Sequence, residues 1–378
     1  MPEIDPLPLA QLTTLRTGGA PERMIDALTR DELVTVLRDV WASGDDWLVL
    51  GGGSNLLVGD EPFEGTVVRV RSAGVERLAA PEPGIARLRV QAGHAWDDLV
   101  AQSVAWGLSG IEGMSGIPGT VGAAPVQNVG AYGQEIADTL VAVELIDETT
   151  GQVVEVPAGE LGLGFRTSVL KHHYGSVPAR RAVILTVTLD LADIGTAPRP
   201  LTSDRLRQAL PVAAGAELSL AEVRDLVLQT RRAKGMVLDD ADPDTRSAGS
   251  FFQNPIVSEQ FARSLPDACP RWPMESTREP VIVIPLAAYD GYVPRAAPRN
   301  VQYKLSAAWL IENAGIRKGM RLGRSRAFIS SKHALALTNR EDGTAAEVAE
   351  LARFVQQRVA ADFGIELQPE PVLVGVEL

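Results

Sequence analysis

Apolar residues recur at helical spacing in several stretches of this chain. In TRDELVTVLRDVWASG, Leu33, Val36, Leu37, Val40 and Trp41 fall on one face, Thr29 and Glu32 are spaced as a capping box, and Gly44 is a stop. SLAEVRDLVLQTRRAKG repeats the signature, with Ser219 and Glu222 as the box, Val223, Leu226 and Val227 inward, and Gly235 at the end. TAAEVAELARFVQQRVAADFG does so again, with Thr344 and Glu347 before a stripe of Val348, Leu351, Phe354, Val355 and Val359. AWDDLVAQSVAWGL predicts a further helix ending near Gly107. Alternating or continuous apolar runs predict strands at TVVRVRS, ARLRVQAG, LVAVELIDE, VVEVP, RAVILTVTLDL, PVIVIPL and HALALTN, and a buried strand over Leu48–Leu50. Strands and helices mix without a steady strand–helix–strand alternation, which favours α+β over a doubly wound sheet. The Pro/Gly/Ala-rich stretch 195–218 reads as the connection between an N-terminal part and a second domain opening at the Ser219 helix.

Composition narrows the function classes. The 378 residues suffice for two or three domains, and 45% are hydrophobic, enough for a substantial core. The formal charge is −12 with no Lys/Arg run, which argues against nucleic acid as a partner. Local arginines and helix N-termini can still hold an anionic substrate. One cysteine, Cys269, excludes a disulfide framework, and the four histidines (His94, His172, His173, His333) lack metal-ligand spacing, so no metal is expected. The N-terminal stretch has no basic and apolar leader pattern, and no apolar run approaches about 18 residues. The expectation is a soluble cytoplasmic protein with no membrane partner.

Residues 107–133, GLSGIEGMSGIPGTVGAAPVQNVGAYG, carry glycine at every third position from Gly107 to Gly122. A collagen helix needs many more triplets and more proline. A flexible linker is polar, whereas Ile111, Met114, Ile117 and Val121 lie between these glycines. Two readings stay open: a packed structural turn, or a bare main-chain cradle for a flat or phosphorylated ligand. GGGSN (Gly51, Gly52, Gly53, Ser54, Asn55) follows a strand, but Leu56 stands where a dinucleotide fingerprint needs its third glycine. It is either a tight turn or an anion nest of successive N–H groups. Together the two segments suit a flavin dinucleotide, one for its diphosphate and one for its ring, with Gln127 and Asn128 offering amides. Three further positions stand out. Arg166 in GFRTSVLK could grip a carboxylate. Ser250 in SAGSFFQNP could donate a proton or cap a turn, without the elbow motif of a hydrolase. Glu370 sits between two prolines before an apolar strand, either in water or aimed at a site. His94 in QAGHAWDDL reads as a surface residue before a helix.

VLGGGSNLLV, GIEGMSGIPGTVGAAPVQNVGAYG, FRTSVLK, AGSFFQNP, KLSAAWLIENAG and LQPEPVLVG, in that order, resemble the UDP-N-acetylenolpyruvoylglucosamine reductases, the MurB family of peptidoglycan precursor synthesis. The resemblance runs from about Leu12 to Gly375. It implies a fold of the vanillyl-alcohol-oxidase (PCMH) type: an FAD-binding part over 1–218, two α+β subdomains split near 72; a substrate-binding domain over 219–362; and a C-terminal strand over 363–378 that carries Glu370 to the site. It implies non-covalent FAD and NADPH as reductant, with Arg166, Ser250 and Glu370 catalytic. It places the cofactor against Gly51, Gly52, Gly53, Ser54, Asn55, Gly119, Gly122, Ala123, Ala124, Gln127, Asn128, Gly130, Ala131 and Arg231, and the substrate against Lys234, Asn254 and His333. The protein is expected to be a monomer, and NADPH and the enolpyruvyl sugar nucleotide to use one pocket in turn. Phe165 stands where the family has tyrosine, Ser203 where one branch has a tyrosine in a closing loop, and residues 235–247 look longer than in that branch. The alternatives are an FAD-dependent sugar or alcohol oxidase of the same fold, and a non-catalytic binding module.

Overall fold

The computed structural model describes residues 3–171, 179–201, 203–213, 215–274 and 301–378. The expected helices form at Arg30–Ser43, Trp96–Ala105, Leu220–Ala233 and Ala345–Phe363. The three capping boxes close as their spacing requires. Thr29 Oγ1 accepts the Glu32 N–H at 3.2 Å while Glu32 Oε2 accepts the Thr29 N–H at 3.2 Å. Ser219 with Glu222 and Thr344 with Glu347 repeat the exchange. Each box supplies partners to donors that an α-helix start leaves open.

Three parallel strands, Pro21–Ala27, Phe63–Val70 and Asp46–Leu50, make the body of a first sheet, with Glu3–Ile4 antiparallel on its edge. A second, antiparallel sheet centres on Ala182–Asp193, flanked by Leu140–Asp147 and Ile85–Gln91, with Val153–Pro157 and Val75–Arg77 outermost. Val183 to Leu189 are buried without a break. A strand covered on both faces reads as a continuous apolar run, as VILTVTL does. The helices Arg30–Ser43 and Trp96–Ala105 bury Leu33, Val36, Leu37, Trp96 and Leu99 in the same core. Towards the C-terminus, the hairpin Ala327–Ile329 with Leu337–Asn339 and the helix Ala345–Phe363 share a second core with Phe251 and Phe252. Leu15 and Leu57 from the N-terminal part belong to that core too. The strand Val372–Val374 then pairs in parallel with Leu56–Val58, directly after the GGGSN loop.

Three details differ from the expectations. In HALALTN only Leu337–Asn339 is strand, because His333 to Ala336 form the turn in which Ala336 N–H reaches the His333 carbonyl at 3.1 Å. Residues 195–218 are not a plain connection. Arg199–Pro200 pairs with Glu217–Leu218, and between them the short helix Asp204–Ala209 buries Leu206 against Val223 and Val227. Ser203 caps that helix through the Leu206 N–H at 3.2 Å. The Ser219 helix itself docks on the N-terminal part. Leu220 lies in the first core, and Arg224 grips Asp97 with two bonds of 2.6 and 2.8 Å. PVIVIPL (280–286), His172 and His173 lie outside the described residues. Among the described residues, no helix is long and apolar enough to cross a membrane and no acidic, His or Cys cluster could hold a metal.

Candidate active site

The GGGSN loop turns tightly at the end of the strand Asp46–Leu50. Gly53 has φ +60°, and a Cβ there would lie 2.0 Å from the Leu12 carbonyl oxygen. No other residue fits that position. The loop meets the long glycine segment main chain to main chain. A Cβ on Gly52 would lie 2.6 Å from Gly119 Cα, and Ser54 Oγ donates to the Pro118 carbonyl at 3.1 Å. Among the described residues, the main-chain N–H groups of Gly51 to Asn55 donate to no acceptor. A cavity of about 310 Å³ opens beside them, lined by Gly51, Gly52, Arg69, Arg71, Gly93 and Thr120 among others. Arg69 and Arg71 share the Asp26 carboxylate, at 3.0 and 3.2 Å, which leaves one net positive charge in the lining; with the successive free N–H groups this fits a phosphate group. The residues present therefore suit the diphosphate of a flavin dinucleotide.

The long segment splits the two readings left open for it. Gly107 packs on Gly195, Gly110 on Thr139, Gly113 on Gln134 and Gly116 on Leu228, each at a distance a Cβ would violate. Ile111, Met114 and Val121 are fully buried. From Gly107 to Gly116 the segment is thus a packed turn. From Gly119 on it adjoins the GGGSN loop and leads through the turn Pro125–Gln127 to Asn128, at φ +46°. Asn128 uses its amide internally: Nδ2 donates to Glu135 Oε2 and to the Gly164 carbonyl, both at 2.9 Å, and Oδ1 accepts from Ala137 N–H at 3.1 Å. It shapes the loop rather than presenting its amide outward.

That loop holds Arg166. Its Nη1 donates to the Asn128 carbonyl at 3.2 Å and its Nη2 to the Gly130 carbonyl at 2.8 Å. Arg166 Nε faces Glu370 Oε1 at 3.3 Å, with both side chains largely buried. Arg166 also has a left-handed backbone, φ +53°, which a non-glycine residue adopts only when its surroundings impose it. Phe165 lies beside Arg166 and carries Lys304 Nζ 4.8 Å above its ring, so the phenyl group remains a cation platform without the hydroxyl. Glu370 arrives on a main chain paired to the Ser250 segment. Glu370 N–H donates to the Phe251 carbonyl at 2.8 Å, and Gln253 N–H to Gln368 O at 2.9 Å. Ser250 follows Gly249, at φ +75°, and precedes Phe251, whose N–H is fixed to the Leu335 carbonyl at 2.7 Å.

A second group of cations lies nearby in the fold. The Arg231 guanidinium is buried, bonds the Met236 carbonyl at 2.8 Å, and leaves Nε without a partner. Burial pulls its pKa below the ordinary value for arginine. Lys234 Nζ sits 5.7 Å from the Tyr132 ring centre. Burial, then Lys234 and Lys318, hold His333 down at about 4, so its imidazole is neutral near pH 7. Asn254 Oδ1 accepts the Ala307 N–H at 2.9 Å and so anchors the helix Ala307–Asn313. The loop 235–247 is tied to the His333 turn through Asp244, whose carboxylate bonds Ser331 and Arg340.

Sequence reasoning passed over Lys171. Its buried ammonium donates to Gln127 Oε1 at 3.0 Å and to the Glu370 carbonyl at 3.2 Å. The available signal was a lysine closing the otherwise apolar end of FRTSVLK. Lys304, in KLSAAWLIENAG, was missed as well. His94 is a correction: it is half-buried, its Nε2 is shielded without a partner, and its carbonyl accepts Val121 N–H at 2.9 Å. The bridge between residues 95 and 120 pulls the start of that helix under the glycine segment.

The chain is similar to known proteins over nearly all of its length. A family model described as UDP-N-acetylenolpyruvoylglucosamine reductase, C-terminal domain, matches residues 242–374, and one described as FAD binding domain matches residues 21–157. A protein of Leifsonia xyli subsp. xyli named UDP-N-acetylenolpyruvoylglucosamine reductase is 53% identical over 99% of this chain and 100% of its own. One of the same name from Thermobifida fusca is 46% identical over 98% of each. The crystal structure of UDP-N-acetylenolpyruvylglucosamine reductase from Thermus caldophilus superposes with a TM-score of 0.61 at 26% identity, over 99% of both chains.

Proposed function

This chain belongs to the UDP-N-acetylenolpyruvoylglucosamine reductase family, and from that premise we propose how its residues perform the family's reaction. The protein reduces the enolpyruvyl ether of UDP-N-acetylglucosamine-enolpyruvate to UDP-N-acetylmuramate, a step of peptidoglycan precursor synthesis, with NADPH as reductant and FAD bound non-covalently. It does so as a monomer in the cytoplasm. The division of labour follows the chain broadly: 1–218 for FAD, with the helix Leu220–Ala233 docked on that part, the chain from there to 362 for substrate, and 363–378 to return Glu370.

The observation that carries the reading is the contact between Arg166 and Glu370, 3.3 Å apart, beside a glycine loop with open N–H groups. FAD supplies hydride transfer when bound. The N–H groups of Gly51 to Asn55 would hold its diphosphate, and Gly119, Gly122, Ala123, Ala124, Gln127, Gly130 and Ala131 would line the remainder of its site. The substrate's alkene is conjugated to a carboxylate, so hydride addition at the terminal carbon drives negative charge onto that carboxylate. Arg166 is a preorganised cation for that charge, because two main-chain carbonyls and Glu370 already fix its guanidinium. Ser250 gives the proton to the neighbouring carbon; an enolate-like carbon is basic enough for a hydroxyl to serve. Lys234, Asn254 and His333 take the substrate's diphosphate and sugar, and Arg231, whose Nε is unpaired, serves a phosphate of the cofactor.

The test is an absorbance spectrum of the purified protein, anaerobic addition of NADPH, and then addition of the enolpyruvyl sugar nucleotide. The expected result is a flavin spectrum that bleaches with NADPH and returns with the sugar nucleotide. A colourless protein, or a bleached one that only oxygen restores, overturns the reading.

A further inference from the structure

Behind the Arg166–Glu370 contact the structure closes a ring of four hydrogen bonds. Lys171 Nζ donates to Gln127 Oε1 at 3.0 Å and to the Glu370 main-chain carbonyl at 3.2 Å. Asn55 Nδ2 donates to the same two oxygens, at 2.8 and 3.3 Å. Two donors and two acceptors thus join four segments that are remote in the chain: the GGGSN loop, the long glycine segment, the FRTSVLK loop and the C-terminal strand. Lys171 is 7% exposed, so its ammonium has little water to fall back on. A buried polar network whose members are all satisfied selects one geometry, and one left half satisfied is costly. Glu370 is the member that reaches the chemistry. Its N–H is already fixed to the Phe251 carbonyl on the Ser250 side. The ring fixes its other peptide group, so the Cα bearing the carboxylate is held from both directions.

We propose that Lys171 is a positioning residue of the reaction: its ammonium fixes the Glu370 main chain, and through it the carboxylate that meets Arg166. The proposal rests on the function proposed above and adds a residue that acts through Glu370. Burial draws Lys171 down to about 8; among charged groups, Glu370 opposes that shift and Arg166 adds to it. The ring neighbours Asn55 and Gln127 are neutral. Deprotonation leaves the amine two N–H donors but removes its charge, so the clamp is at full strength below pH 8 and weakens as pH rises through it.

The experiment compares the wild type with Lys171→Met and Lys171→Arg. In Lys171→Met, reoxidation of the reduced flavin by the enolpyruvyl sugar nucleotide slows roughly tenfold, a typical loss for a charge-assisted bond. Reduction by NADPH stays within about twofold, because a misplaced Glu370 affects the substrate's carboxylate and not the nicotinamide. Wild-type kcat declines through about pH 8; Lys171→Met lacks that decline, and Lys171→Arg moves it upward. Hydrogen exchange on the cofactor-free protein gives a readout independent of activity. Amides of residues 368–374 exchange faster in Lys171→Met and at the wild-type rate in Lys171→Arg. Wild-type reoxidation, an unmoved alkaline limb, or unchanged exchange at 368–374 in Lys171→Met overturns the proposal. If Lys171→Met does not fold, an unmoved limb in Lys171→Arg overturns it alone. A wild type that the sugar nucleotide fails to reoxidise instead defeats the function proposed above, while the exchange comparison still decides whether Lys171 holds Glu370.

Discussion

The cations around Arg166 and those around Arg231 are finished to different degrees. Around Arg166 most donors are answered: carbonyls of Asn128 and Gly130, the Glu370 carboxylate, and a lysine clamp behind it. Around Arg231 the charge is left over: its Nε has no partner, Lys234 faces a ring rather than a carboxylate, and His333 is held in its neutral form by burial and then by Lys234 and Lys318. A complete network suits a group that must not move while charge develops. Unbalanced positive charge suits a group that waits for an anion to arrive. The contrast separates the place where bonds change from the place where a diphosphate is held.

Substitutions can break that contrast from either side. Ser250→Ala carries the largest expected effect. Flavin reduction by NADPH persists, while reoxidation by the sugar nucleotide falls by about a thousandfold, as for loss of a general acid; stopped-flow absorbance resolves the two halves. Arg166→Ala lowers kcat/KM by roughly a hundredfold or more, and Arg166→Lys fails to restore it, because one ammonium cannot replace three directed N–H contacts. Steady-state kinetics checks both. Lys234→Ala raises KM for the sugar nucleotide about tenfold with kcat little changed, the signature of binding lost equally in ground and transition states. A large fall in kcat there would erase the distinction between the two groups.

The smallest effect is on stability against pH. His333 binds a proton at about 4 in the folded protein and at its usual 6.5 when unfolded. Between these values the unfolded chain holds more protons, so stability falls as pH drops from 6.5 towards 4. His333→Asn flattens that limb without touching stability above pH 7, as melting temperatures measured from pH 4 to 7.5 would register.

Local chemistry was the legible part of the sequence. Capping boxes at Thr29, Ser219 and Thr344 depend on residues three apart, and each formed as spaced. Arg166 and Glu370 could be singled out because their settings, a polar break and a pair of prolines, are visible within a few residues. The ring of Asn55, Gln127, Lys171 and Glu370 could not, since no two members are near in sequence and no spacing rule connects them. His94 was misjudged for a related reason: its carbonyl is taken by the Val121 N–H of the remote glycine segment, which no local pattern announces. The stretch 195–218 looked unstructured because its helix of six residues is too short to show a periodic stripe.

The pairing of Val372–Val374 with Leu56–Val58 makes assembly a late event. The partner strand of Leu56–Val58 is made long after it, so that edge stays uncovered while the intervening chain is synthesised. Contacts of such long sequence separation form slowly. A chain interrupted before residue 372 would accordingly leave that edge uncovered and the carboxylate without its strand, a folded scaffold with no chemistry.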